Sequence, residues 1–364
     1  MKKYWIPVII FISLTALYIG FSAVKGTPYL YRPVWDVGQY VDISERGYDA
    51  HPCTSTDYPP GEICGNVGWY PLWPLVIAIV RPLVGGSSQT AYVGLAFLFT
   101  FLGLLLLFRF VERKYGTVPA TVTLAAIAFS PASFYLLTGF PYALMLFLIS
   151  LYLSLLYFSS GLKGEIGLFL TALALSLCYP SALLFAVIPV VRYILDKRRS
   201  GENFKKIRFW LDLGKYAAPF ILGTLLLWCY FYYRFDDFFL QFHFQEKYQR
   251  AAEFPFTTLF RSLTRYPIFS PENAAILWYG LILLLFIPYG IGPELWLTAI
   301  VLYLFSPSTG TTLSIYRHYL IIFPAYMIIG TSRRPLWFRL LFILLGLILA
   351  VFIMFPGFIS NRLI

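Results

Sequence analysis

The chain has 364 residues, of which 59% are hydrophobic and only 12% charged, and its formal net charge is +11. Soluble domains carry about 25% charged residues, so this chain cannot cover itself with polar side chains, and folding as a soluble domain is excluded. The positive charge does not point to nucleic acid, because no compact basic and aromatic module stands apart from the apolar runs; basic residues beside anionic lipid account for it.

Crossing the hydrocarbon core takes about 20 apolar residues. The N-terminus, Met1-Lys2-Lys3 and then apolar residues to about Ala23, reads as an uncleaved first transmembrane helix over 4–23. The run is long for a signal peptide, and Phe21 is bulky where cleavage prefers a small residue. Further spans are predicted at 90–109, 118–135, 141–159, 166–178, 181–195, 214–233, 274–289, 292–306, 318–331 and 336–355. The segment Trp69 to Val84 is apolar but short and carries Pro71, Pro74 and Pro82, so it is predicted to dip into the membrane or lie along it. The fold class is an all-α polytopic membrane protein of about 10–11 transmembrane helices, one membrane domain over 1–364.

Direction follows from the basic residues. A cytoplasmic N-terminus puts Lys2, Lys3, Arg109, Arg113, Lys114 and Lys163 on the inner side. The cluster Lys197 to Arg208 joins them, as do Arg333, Arg334 and Arg339. Reading 165–196 as one kinked helix would move the Lys197 cluster outside; ending a helix at Tyr179-Pro180 keeps it inside, and proline ends or kinks a helix either way. This layout exposes two long outer loops, 24–89 and 234–271, and a shorter one from Ser306 to Arg317.

In the first loop, Val37, Tyr40, Val41 and Ser44 recur at helical spacing, which predicts a short interfacial amphipathic helix ended by Gly47. Asp36 and Gln39 have the spacing of a capping box, and on spacing alone helix capping accounts for both, with Asp42, Glu45 and Arg46 facing water. Cys53 and Cys64 share this loop, and a disulfide between them is one arrangement an extracytoplasmic loop permits. Cys178 and Cys229 sit in apolar runs as packing residues.

Trp35-Asp36, Tyr40, Ile43, Gly47 and Tyr48 resemble the first-loop signature of the GPI mannosyltransferases that add the second mannose (phosphatidylinositol-glycan class V type) and their prokaryotic relatives, which belong to the GT-C class of membrane glycosyltransferases. The match continues in order through Tyr70-Pro71-Leu72-Trp73-Pro74 and Ser130-Pro131-Ala132-Ser133-Phe134 with Pro141-Tyr142 and Phe147. It then runs through Arg234-Phe235-Asp236-Asp237 with Phe242 and Gln245, and ends at Ser314, Arg317 and Phe323-Pro324. Two positions depart from the family pattern. Leu144 stands where the family usually has an acid, and Tyr179-Pro180-Ser181-Ala182 lacks the arginine that motif tends to carry.

The resemblance implies a GT-C-like bundle with interfacial helices in the first outer loop. It also implies inverting transfer of a sugar, mannose by resemblance, from a polyprenyl-phosphate donor to a hydroxyl of a lipid or glycan acceptor outside the cytoplasm. Asp36 matches the family's catalytic aspartate and would take the acceptor proton. Arg317, with His318 beside it, offers a planar fork of donors for the leaving phosphate; snorkelling to the headgroups is the alternative. Trp35, Gln39, Tyr40, Tyr48, Tyr70 and Tyr142 are candidates for the substrate cavity, with the interfacial aromatic belt as the alternative for the tyrosines. Asp236 and Asp237 form an acidic pair, a weak metal signal without further ligands. No metal site is assigned; no cofactor follows, and a divalent metal stays open. The partners are the polyprenyl-phosphate sugar, its acceptor and membrane lipids. The membrane is the plasma membrane in a prokaryote or the endoplasmic reticulum in a eukaryote. A transporter or flippase, and an inactive homologue serving as a subunit, are the competing readings. Spans nearly free of charge speak against the transporter.

Overall fold

The computed structural model describes residues 2–26, 35–54, 61–201, 206–248, 251–286, 290–360 and 363. The chain enters through α1 (Trp5–Val24), the short α2 (Asp36–Arg46), the hairpin of β1 (Ala50–Pro52) and β2 (Ile63–Gly65), and α3 (Leu72–Val80), which tightens into a 3₁₀ turn at Arg81–Val84. The long α4 (Ser88–Tyr115) is followed by α5 (Thr117–Ala128), α6 (Tyr142–Phe158), α7 (Gly161–Cys178), α8 (Val187–Arg199) and α9 (Ile207–Phe235). Two short helices, α10 (Leu240–Glu246) and α11 (Pro255–Arg265), lead to α12 (Pro271–Leu285), α13 (Pro293–Phe305), α14 (Ile315–Tyr319) and α15 (Phe323–Thr331). The last helix, α16 (Leu336–Leu349), runs through a π-helical turn, Ala350–Met354, into α17 (Phe355–Ile359).

Among the described residues, five helical runs are long and apolar enough to cross a membrane: Trp5–Val24, Ser88–Tyr115, Gly161–Cys178, Ile207–Phe235 and Leu336–Ile359. Each other predicted span also has its helix, shortened where proline intervenes. α5 stops at Ala128, and the path is completed by a 3₁₀ stretch, Ser133–Leu137, beyond Pro131. The predicted span 318–331 is broken in two, because Pro324 is accommodated only in the first turn of a new helix. At Tyr179 the backbone is extended (φ −160°, ψ 145°), Pro180 opens a 3₁₀ segment, and α7 and α8 are separate elements.

Several basic residues lie where helix ends meet. Lys3 Nζ bonds Glu112 (2.9 Å), Lys114 and Arg192 sit over the ring of Tyr157 (3.6 and 3.9 Å), and Arg334 Nε donates to Leu285 O (3.0 Å). One end of the bundle gathers α2, the hairpin, α10, α11 and α14. The Trp69–Val84 segment forms the short apolar helix α3 and its 3₁₀ turn, Leu72–Val84 in all. Its Trp73 Nε1 donates to Gly139 O (2.6 Å), and Arg81 beyond it lies 3.9 Å from Glu45 of α2.

Helices in lipid gain little from the hydrophobic effect and associate through close packing, so small residues mark the crossings. A Cβ at Gly103 of α4 would lie 3.0 Å from the Phe147 amide nitrogen of α6, and one at Gly330 of α15 would lie 2.6 Å from Pro119 O of α5. Buried side-chain polar groups pair across the bundle at several crossings, Tyr279 with Tyr326 (2.6 Å) and Thr100 with Leu136 O (2.6 Å) among them.

Candidate active site around Asp36 and Arg317

The helix carrying Asp36 is fixed from several directions. α2 buries Val37, Tyr40, Ile43 and Ser44 on one face, and Gly47, at φ 84°, ends it. Asn66, 1% exposed, clamps its far end: Nδ2 donates to Asp42 Oδ2 (2.8 Å) and Gly47 O (3.1 Å), while Oδ1 accepts from the Asp49 amide (2.8 Å). Glu45 accepts from Ser88 Oγ (2.6 Å). Asp42 and Glu45 therefore do not simply face water. The Cys53–Cys64 disulfide closes the hairpin that delivers Asn66.

Asp36 is the first residue of α2, not its cap. The N-cap position is Trp35, which makes no side-chain cap bond, so the Asp36–Gln39 capping box suggested by the spacing does not form. The Asp36 carboxylate instead meets Arg317, with Nη1 to Oδ2 at 2.7 Å. Arg317 is 5% exposed and does not snorkel to the surface. Its guanidinium lies 5.5 Å from the centre of the Phe140 ring. Nη1 is at ion-pair distance from Asp36 but is not aimed along a hydrogen bond, and Nε has no hydrogen-bond partner among the described residues. A buried guanidinium with donor capacity left over is costly to desolvate unless something else completes it.

Aromatic rings enclose this pair. Phe140 stacks on Tyr142 (centroids 5.7 Å apart), Tyr135 meets Phe140 edge-on (4.9 Å), and Tyr142 packs against Tyr179 (5.6 Å). A hydrogen-bonded chain runs from Tyr142 OH to Tyr179 OH (3.3 Å) and on to His318 Nδ1 (2.6 Å). Tyr40 is buried beside Asp36 on the same helix, and its phenol feels the charges of both Asp36 and Arg317. Two non-glycine residues with left-handed backbone flank the pair: Trp35 (φ 54°) directly before Asp36, and Ser314 (φ 60°), whose carbonyl accepts the Arg317 amide. Such conformations cost on the order of 1–3 kcal/mol each and persist where the surroundings impose them.

The structure thus brings Asp36, Tyr40, Tyr142, Arg317 and His318 together, with Trp35 half-exposed at the edge and Gln39 half-buried on α2. Tyr48 and Tyr70 lie elsewhere, in a separate apolar cluster with Val67, Leu227 and Phe231. Burial pushes both phenols up, which keeps them protonated, and Tyr48 donates to Trp69 O (2.7 Å). The acidic pair is used locally: Asp236 is the left-handed C-cap of α9, and Asp237 accepts from the Phe239 amide (2.9 Å) and pairs with His243 (2.7 Å). Among the described residues no group of three or more His, Cys, Asp or Glu gathers as a metal set. Sequence reasoning missed Tyr135, Phe140 and Tyr179 as wall residues. The signal for Tyr179 was the helix break at Pro180, which presents the preceding side chain at a helix end.

A cavity of about 370 Å³ lies between α2, α3, α7 and α9, against Tyr48 and Leu227 of the apolar cluster. Its walls include Ile43, Pro74, Leu75, Leu177 and Leu226 and are almost entirely apolar.

No protein-family model matches the sequence, and no curated protein matches it either. Solved structures match its fold. ArnT from Cupriavidus metallidurans bound to undecaprenyl phosphate superposes with a TM-score of 0.53 at 18% identity, covering 89% of this chain and 59% of that one. The same protein in the apo state gives 0.54 at 17% identity, covering 89% and 58%. The Archaeoglobus fulgidus oligosaccharyltransferase complex with Zn and sulfate gives 0.51 at 11% identity, covering 98% and 53%. The chain spans under three fifths of the length of these proteins. The chain shares the fold of these solved structures, an all-α, multi-pass bundle.

Proposed function

We propose that this protein is a membrane glycosyltransferase that moves a sugar, mannose by sequence resemblance, from a polyprenyl-phosphate donor to an acceptor hydroxyl on the extracytoplasmic face. The observation that carries the reading is Arg317: a buried guanidinium held against the Asp36 carboxylate with an Nε–H left unused. ArnT, which shares the fold, has been solved bound to undecaprenyl phosphate, and a fork of N–H donors suits such a phosphate.

On this reading the donor phosphate draws Arg317 toward itself and frees Asp36. The acceptor oxygen attacks the anomeric carbon, its proton passes to Asp36, and the bond from that carbon to the phosphate oxygen breaks. Polyprenyl phosphate leaves with the bonding electron pair, its charge met by Arg317. Attack from the face opposite the phosphate gives inversion. The apolar cavity along α2 would take the isoprenoid chain. Its Ile43 is seven residues from Asp36, about 10 Å along the helix. Tyr40 and Tyr142 would wall the sugar. The end holding Asp36 would face outward, and the basic end would lie in the cytoplasm.

Membranes containing the protein, given radiolabelled polyprenyl-phosphate mannose, should transfer label to an endogenous acceptor. Asp36→Asn, monodisperse in detergent at the assay temperature, should not. Transfer by Asp36→Asn at the parent's rate would overturn the assignment of the base.

A further inference from the structure

α11 is built the wrong way round for a helix in water. Its protein-facing side is largely polar: Ser262 Oγ donates to Asn273 Oδ1 (2.8 Å) and accepts from Thr312 (3.1 Å), and Thr258 Oγ1 donates to Glu253 (2.6 Å). Its large apolar side chains point away from the protein, with Phe256 56% and Phe260 70% exposed. Stepping about 100° per residue, the helix divides into three sectors. Phe256, Phe260 and Leu263 fall on one side, and the exposed Arg261 and Arg265 fall roughly opposite. Thr258, Leu259 and Ser262, the protein contact, fall between them.

That arrangement fits one surrounding. A helix lying in a bilayer interface beside the protein needs an apolar side toward the acyl chains, a polar side toward water and a flank for its own bundle. A partner protein seated on the phenylalanines would not require Arg261 and Arg265 on the far side. The surface is also continuous with the lipid-exposed bundle. α11 leads through exposed Ile268 and Phe269 into α12, and packs beside the end of α13, where Phe305 is exposed. We infer that α11 is a lipid-anchored helix, inserted through Phe256, Phe260 and Leu263 into the leaflet on the Asp36 side. The inference stands on geometry separate from the sugar-transfer reading.

The anchor also reaches the site. The Glu253 amide donates to Ser308 O (3.0 Å), and Thr312, bonded to Ser262, lies two residues before the strained Ser314 that starts the Arg317 turn. The depth of α11 therefore bears on where Arg317 sits relative to the lipid surface.

The test is photocrosslinking of the full-length protein in native membranes labelled with a radioactive fatty acid. Benzoylphenylalanine replaces Phe260, Arg265 or, as a lipid-facing reference, Leu341 of α16. Phe260 should give phospholipid adducts at a level like Leu341 and about tenfold above Arg265. A covalent dimer or a foreign-protein adduct at Phe260, equal labelling at 260 and 265, or no adduct at 260 while 341 reacts, would each overturn the anchor. Sugar transfer is not read in this experiment, so its outcome is independent of the proposed chemistry.

Discussion

Removing the Asp36 carboxylate tests the ion pair as structure as well as chemistry. Arg317 is 5% exposed, and Asp36 is the anion at ion-pair distance from it among the described residues. Stranding a charge by deleting one partner of a buried pair costs about 3–5 kcal/mol. Asp36→Asn leaves the guanidinium in place and enclosed, so it belongs in that range. Arg317→Met strands a carboxylate whose side chain is already 25% exposed and can reach water, so it should cost less, about 1–2 kcal/mol. The double variant Asp36→Asn/Arg317→Met buries no unpaired charge. It should be more stable than Asp36→Asn alone, with a coupling of about 1–3 kcal/mol in the cycle. Unfolding by titration with SDS, followed by far-UV circular dichroism, measures all four proteins, and sugar transfer should be absent from all three variants. If Asp36→Asn unfolds at the parent's midpoint, or the two single effects simply add, the pair is not the coupled, desolvated contact described above.

Gly330→Val places a Cβ 2.6 Å from Pro119 O and should lose about 1–3 kcal/mol in the same titration, whereas Gly94→Ala, with open space around it, should stay near the parent. Cys64→Ser removes a cross-link between residues 11 apart, an entropy worth about 3 kcal/mol in the chain model. Faster hydrogen exchange should appear in the hairpin and in Asn66, and unchanged exchange there would show that the clamp on α2 does not depend on the bond. The Glu253 carboxyl is held below its usual range, first by the Thr258 hydroxyl and then by Arg261. A depressed folded pKa stabilises above the unfolded value, about 4.3, and that stabilisation is lost as pH falls through the lower folded value. The first turn of α11 should therefore lose its protection from exchange only as pH falls through that lowered folded value, and Glu253→Gln should flatten that dependence.

The all-α, multi-pass class was legible because the hydrocarbon core imposes a length and an apolar composition. Asp36 and Arg317 were each found by resemblance, but their contact was not legible: they lie on α2 and α14, and only the packed bundle brings them together. Spacing misled at Asp36, where the capping pattern was present but Arg317 competes for the carboxylate and wins it. Tyr48 and Tyr70 shared a loop with Asp36, but α9 draws them into its own apolar cluster. The three sectors of α11 were present in the order of its residues, yet a stretch inside a long loop could not be phased until its hydrogen bonds to Asn273 and Thr312 fixed which side meets the protein.

The two departures from the family pattern fall on elements that touch. Leu144 lies one half-turn beyond Tyr142 on α6, 3% exposed, and the Tyr179–Ala182 break lies at the end of α7. The ends of these helices abut: Cys178 Sγ points to Pro141 O (3.9 Å), and Tyr142 and Tyr179 share a hydrogen bond (3.3 Å). The corner they form is neutral and is held by the Tyr142–Tyr179–His318 hydrogen bonds. Neither Leu144 nor the Tyr179–Ala182 break supplies the Asp36–Arg317 contact on which the proposed chemistry depends: that contact joins α2 to α14.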